Sequence, residues 1–128
     1  MVLKKQVKLE EKKHSRKTPS DFFKSLESYD DFVYNVFKTN IFKKNVGLCY
    51  KRNLDLGLLE KVIVTLAKGE KLPANNFPHP LKGYKKKENE IVMECHIQPN
   101  WLLIWIQNDN KLTLLLTDTG SHADLFGM

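Results

Sequence analysis

Apolar side chains recur at helical spacing in two neighbouring stretches of this chain. Phe42, Val46, Cys49 and Tyr50 form one stripe, and Leu56, Leu59, Val62, Ile63 and Leu66 form another. Asn40 opens the first helix, whose other face carries Lys43, Lys44 and Lys51. Asp55 caps the second and Gly69 ends it. Two helices joined by so short a link predict an αα-hairpin. Further upstream, Thr18-Pro19-Ser20-Asp21 reads as a helix start, with a capping threonine, proline at the first helical position and an acid three residues after the cap. A short helix running to about Ser28 then places Phe22, Phe23 and Leu26 on one side.

Elsewhere the pattern shifts to strands. Residues 32–38 are rich in aromatic and β-branched side chains, and 91–97, 101–106 and 111–117 read as three more strands. Asn108-Asp109-Asn110 turns between the last two. Residues 101–106 are apolar on both faces, as expected of a central strand covered on both sides. Residues 71–87 contain Pro, Asn, Gly and Lys without periodicity and read as a long loop. The order of strand, two helices and three closely spaced strands predicts an α+β domain, with the helix hairpin packed on a small antiparallel sheet.

Composition narrows the class. A chain of 128 residues suits one compact domain with a short appendage. No run approaches the roughly 20 apolar residues of a membrane helix, and the N-terminus is charged from Lys4 onward rather than signal-like. A cytoplasmic protein without membrane association is the expectation. Cys49 and Cys95 make no disulfide framework and read as reduced and buried. The net charge of +6 is uneven. Residues 1–18 carry Lys4, Lys5, Lys8, Lys12, Lys13, Arg16 and Lys17 against Glu10 and Glu11, which leaves the remaining chain close to neutral. The high pI therefore reports a basic tail more than a basic body.

Histidines carry the candidate chemistry. His14 lies in the tail, whereas His79, His96 and His122 sit near strand ends or in loops of the last 50 residues. Alternation places Val92, Glu94 and His96 on one strand face and Met93 and Cys95 on the other, so Cys95 and His96 do not share a ligand. A three-histidine zinc site remains an alternative, although no pair shows the tight spacing that commonly builds one. The competing use is acid–base catalysis. RNA supplies its own nucleophile, the 2′-hydroxyl, and two or three histidines suffice to take its proton and to protonate the leaving 5′-oxygen without metal or other cofactor. Trp101 and Phe126 are candidates to stack on bases.

Three segments together resemble a known family. His79-Pro80-Leu81-Lys82-Gly83, the run Glu94-Cys95-His96-Ile97-Gln98-Pro99-Asn100-Trp101-Leu102-Leu103-Ile104, and Thr119-Gly120-Ser121-His122-Ala123-Asp124-Leu125-Phe126 are similar to YafQ-type toxins of the RelE/ParE superfamily. Residues 66–73 resemble that family's link out of its second helix. The resemblance covers about residues 32–128 and leaves 1–31 as a basic N-terminal extension with a short helix. It implies a RelE-like fold, a metal-independent, ribosome-dependent messenger RNA endonuclease, and inhibition by a DinJ/RelB-like antitoxin. Carried over by motif, His79, His96 and His122 are catalytic, Asn100 stands where the family usually has Asp, and Trp101 and Phe126 match site aromatics.

The chain also departs from its family's pattern. Asp118 stands where many relatives have Arg, and Val92-Met93 where many have Tyr-Arg. A cation normally stabilises charge developing on the phosphate. Lys85, Lys86 and Lys87, in a stretch longer than usual, are candidates to replace it or to form a solvated loop. Alternation gives Leu112, Leu114, Leu116 and Asp118 a common facing unless the turn before Gly120 breaks it. The rival reading is a catalytically weak binding protein that keeps the fold and the antitoxin interface.

Overall fold

The structure, a computed structural model, describes residues 16–81 and 89–127. Its elements in chain order are α1 (Pro19–Glu27), β1 (Asn35–Lys38), α2 (Asn40–Lys51), α3 (Leu56–Ala67), β2 (His79–Pro80), β3 (Glu90–Gln98), β4 (Trp101–Asn108), β5 (Thr113–Gly120) and α4 (His122–Phe126). Five strands form one sheet in the order β1-β5-β4-β3-β2. Among the described residues, no helix is long and apolar enough to cross a membrane.

Each helix start has a local cause. At α1, Thr18 Oγ1 accepts from the Asp21 N–H at 3.1 Å, and the Asp21 carboxylate accepts from the Thr18 N–H at 3.3 Å, a reciprocal capping box. Helix α2 is capped by Thr39, one residue before the expected Asn40. The Thr39 hydroxyl accepts from the Phe42 N–H at 3.0 Å and donates to the Thr117 carbonyl at 2.7 Å, which ties the helix start to β5. Asp55 caps α3 through the Gly57 N–H at 2.9 Å, as expected. The chain leaves α3 through Gly69 at φ 74°, and the Ala67 carbonyl accepts from the Val33 and Tyr34 N–H groups at 2.8 and 2.9 Å.

The sheet is mixed. β3, β4 and β5 pair antiparallel as consecutive hairpins, whereas β1 runs parallel to β5, with Val36 opposite Leu114 and Phe37 opposite Leu115. A hairpin of a few residues enforces antiparallel pairing. No such turn links β1 to β5, because the helix hairpin and most of the sheet intervene. The stretch read as a featureless loop also holds order: a 3-10 turn at Ala74–Asn76, then β2, whose His79 and Pro80 pair with Glu94 and Met93.

The core lies between the helices and one sheet face. Phe42, Val46, Leu59, Ile63, Trp101, Leu103, Trp105, Leu114 and Leu116 are all buried in it. Phe22 and Leu26 of α1 belong to the same cluster, at 0% and 5% exposure. Residues 101–105 are each 5% exposed or less, which matches a central strand covered on both faces. Cys49 and Cys95 are free and buried. Desolvation pushes their thiols up to about 11 and about 12, so they are inert thiols at neutral pH.

Candidate active site

β3, the β3–β4 turn and α4 bring a compact group of side chains to one end of the sheet. The His96 and His122 rings lie 5.9 Å apart between centroids, and His122 lies 6.4 Å from Phe126. Asn100 joins the turn to α4: its Oδ1 accepts from the His122 N–H at 3.2 Å and faces His122 Nδ1 at 3.0 Å. An amide oxygen only accepts, so Nδ1 carries the hydrogen. His96 Nδ1 likewise donates to the Pro99 carbonyl at 3.3 Å. In both rings the protein holds Nδ1, which leaves Nε2 with the exchangeable lone pair.

The start of α4 is built by the Thr-Gly-Ser-His phrase. Ser121 Oγ accepts from the Asp124 N–H at 3.1 Å, and the Asp124 carboxylate accepts from the Ser121 N–H at 2.8 Å. Gly120, at φ 155°, permits this approach, since a Cβ there would stand 2.8 Å from Asp124 Oδ2. Arg52, which caps the C-terminus of α2, forks onto Asp124 through Nη1 to Oδ2 and through Nη2 to Oδ1 at 3.1 Å. That guanidinium, with the Ser121 backbone N–H, holds the Asp124 carboxyl down at about 2. The helix that presents His122 is thereby pinned to the helix hairpin.

His79 occupies a different setting from the other two histidines. Its Nδ1 donates to the Phe77 carbonyl at 2.8 Å, and its Nε2 lies 3.1 Å from Glu94 Oε1. Glu94 is 6% exposed, and its Oε2 has no hydrogen-bond partner among the described residues. Strand alternation had put Glu94 on the face of His96, a signal sufficient to include it in the site. Phe77 was invisible to periodicity. It sits at φ 48°, ψ 53°, a left-handed conformation that costs a bulky residue about 1–3 kcal/mol. Its ring is 64% exposed and meets His96 edge-on at 5.8 Å.

Two expectations for the site change. Trp101 is 1% exposed and its indole N–H donates to Thr119 Oγ1 at 3.0 Å, so neither face of the ring is open to a base. It is a strut beneath the site. Asp118 does not share the facing of Leu114 and Leu116. Leu116 pairs with Trp105 and Asp118 with Ile104, so Thr117 is an extra residue that breaks the alternation. The Asp118 carboxylate accepts from the Asn45 amide at 2.5 Å and from the Thr119 N–H at 2.8 Å, and among the described residues it hydrogen-bonds to no histidine. Lys85, Lys86 and Lys87 lie outside the described residues. Among those described, no three His, Cys, Asp or Glu side chains converge as a metal site.

Comparison with known proteins places this geometry. Residues 34–127 match the family model for YafQ, a bacterial toxin of type II toxin–antitoxin systems. The mRNA interferase toxin YafQ of Escherichia coli strain B / BL21-DE3 is 35% identical over 91 residues, covering 67% of this chain and 88% of that protein. The toxin in the E. coli DinJ–YafQ toxin–antitoxin complex superposes with a TM-score of 0.65 at 30% identity, over 74% of this chain and 99% of its own. A metal-bound toxin from Helicobacter pylori gives 0.66 at 34% identity, over 73% and 99%. The three histidine segments, the sheet and every helix after α1 fall inside the matched region, and the chain belongs to the YafQ family of type II toxins.

Proposed function

We propose that this protein is the toxin of a toxin–antitoxin pair and a messenger RNA endoribonuclease. His96 and His122 are its acid–base pair, and His79 and Asn100 belong to the same site. The observation that carries the reading is the pair of imidazoles 5.9 Å apart, each held at Nδ1 and with no Nε2 partner among the described residues. One Nε2 takes the proton of the ribose 2′-hydroxyl. The 2′-oxygen bonds to the adjacent phosphorus as the bond to the 5′-oxygen breaks, and the other imidazolium protonates that leaving oxygen. The products are a 2′,3′-cyclic phosphate and a 5′-hydroxyl. Neither metal nor cofactor enters the chemistry.

Family membership supports an acidic antitoxin segment as the inhibitory partner and translating ribosomes, hence the cytoplasm, as the setting. On this reading residues 32–128 are the toxin unit, and 1–31 are a basic extension outside it. Purified protein added to ribosomes and messenger RNA should generate new 5′ ends. Cleavage should persist when free metal is chelated under conditions that keep the ribosome intact. His96→Ala and His122→Ala should each lower the rate by roughly 100-fold or more, with little change in stability. Undiminished cutting by either folded variant would remove it from the acid–base pair, and a stoichiometric bound zinc in the active protein would overturn the metal-free mechanism.

A further inference from the structure

We propose that Phe77 is a stacking platform for a nucleobase of the RNA substrate, with the adjoining cleft as its subsite. The inference rests on the ribonuclease reading above and assigns that site a base-binding element. A large aromatic ring 64% exposed on a left-handed backbone is unfavourable twice over, in hydration and in conformation. Three hydrogen bonds nevertheless hold it there. The Phe77 N–H donates to the Ala74 carbonyl at 3.0 Å, and His79 Nδ1 donates to the Phe77 carbonyl at 2.8 Å. Asn76 Nδ2 donates to the His96 carbonyl at 2.8 Å, which ties the turn to β3. The buried Glu94 fixes His79 from its other nitrogen.

What these bonds present is a ring whose neighbour is His96, 5.8 Å away and edge-on. A base stacked on Phe77 therefore lies beside the imidazole that serves the adjacent phosphate. The cleft between them, about 470 Å³, is lined by Asn75, Asn76, Phe77, His96 and Gln98 among others. Primary amides donate and accept at once, as base edges do, and among the described residues no Asp, Glu, Lys or Arg lines the cleft. The amides and the aromatic ring of this lining suit a base, edge and face, beside the imidazole of His96. Trp101, the aromatic that the sequence offered for stacking in this neighbourhood, is sealed in the core.

Base–aromatic stacking is strong enough that Phe77→Ala should raise KM for ribosome-bound messenger RNA about tenfold or more, with kcat within about threefold of the parent. Phe77→Tyr should restore KM. Phe77→Gly should bind as poorly as Phe77→Ala yet melt no lower than the parent, because glycine adopts the left-handed backbone freely. Independently of cutting, the full chain titrated with a short single-stranded oligoribonucleotide should show upfield shifts of the Phe77 ring protons by NMR, and an abasic oligomer should not shift them. An unchanged KM in Phe77→Ala overturns the proposal and leaves the nuclease reading standing. If that variant loses antitoxin affinity while keeping its KM, the ring is a protein-docking residue instead. Should the parent cut no RNA at all, the nuclease reading falls, and the NMR titration alone decides whether Phe77 stacks on bases.

Discussion

Glu60 and Glu94 are equally buried, at 6% exposure each, and their surroundings are opposite. Glu60, on α3, has every oxygen occupied. Lys17 Nζ meets Oε1 at 2.6 Å, while the Ser25 and Tyr29 hydroxyls donate to Oε2 at 2.7 and 3.2 Å. All three donors come from the segment before residue 34, where the family match begins. Among the described residues Glu94 has one partner, the half-exposed His79, and one oxygen with none. A saturated buried carboxylate joins two parts of a structure, whereas one left half-satisfied marks a place where capacity is kept for something else. The contrast separates the docking of α1, which serves stability, from the histidine end of the sheet, where bonding capacity and backbone strain coincide in neighbouring residues.

The largest expected effect tests the docked side. Phe22 is fully buried against the helix hairpin, so Phe22→Ala should cost about 3–5 kcal/mol in urea unfolding. A loss under 1 kcal/mol would show that α1 is an ornament rather than part of the core. A matched pair of substitutions sharpens the comparison at smaller scale. Glu60→Gln replaces charge-assisted bonds and turns an amide donor toward other donors, and should cost about 1–3 kcal/mol. Glu94→Gln loses only the contact with the half-exposed His79, and should cost less than Glu60→Gln, about 1 kcal/mol or under. Equal losses from the two would erase the distinction.

The smallest effect is a pH dependence at α4. Asp124 has its carboxyl lowered from 3.8 to about 2, first by Arg52 and then by the Ser121 N–H. A depressed carboxylate contributes stability that is present above its unfolded value and lost as pH falls through the folded one. The clamp should therefore be intact above about pH 4 and loosen between about pH 4 and 2. His122 resonances should broaden or shift across that window in the parent. In Arg52→Ala the same change should move to higher pH, and an unmoved midpoint would take Arg52 out of the clamp.

Much of the site was legible before any coordinates. The recurrence of His79, His96 and His122 inside recognisable segments pointed to the end of the sheet where they gather, and alternation put Glu94 on the face of His96. Phe77 was not legible, because a left-handed residue in an aperiodic stretch leaves no pattern to read. Nor was the fate of Trp101. The same indole serves as a stacking face or a core strut, and only the packing around Thr119 decides between them.

What the chain determined by itself is whatever depends on near neighbours in sequence: the capping box at Thr18, the stripes of α2 and α3, the hairpins of β3 to β5, and the turn that starts α4 at Ser121. Only the tertiary structure decided the parallel pairing of β1, the bulge at Thr117 that turns Asp118 toward Asn45, and the donors around Glu60. Each of these joins residues about 30 or more apart, or depends on strand register. A contact across that separation is set by the sum of packing around it, and no local preference of the residues involved is strong enough to specify it.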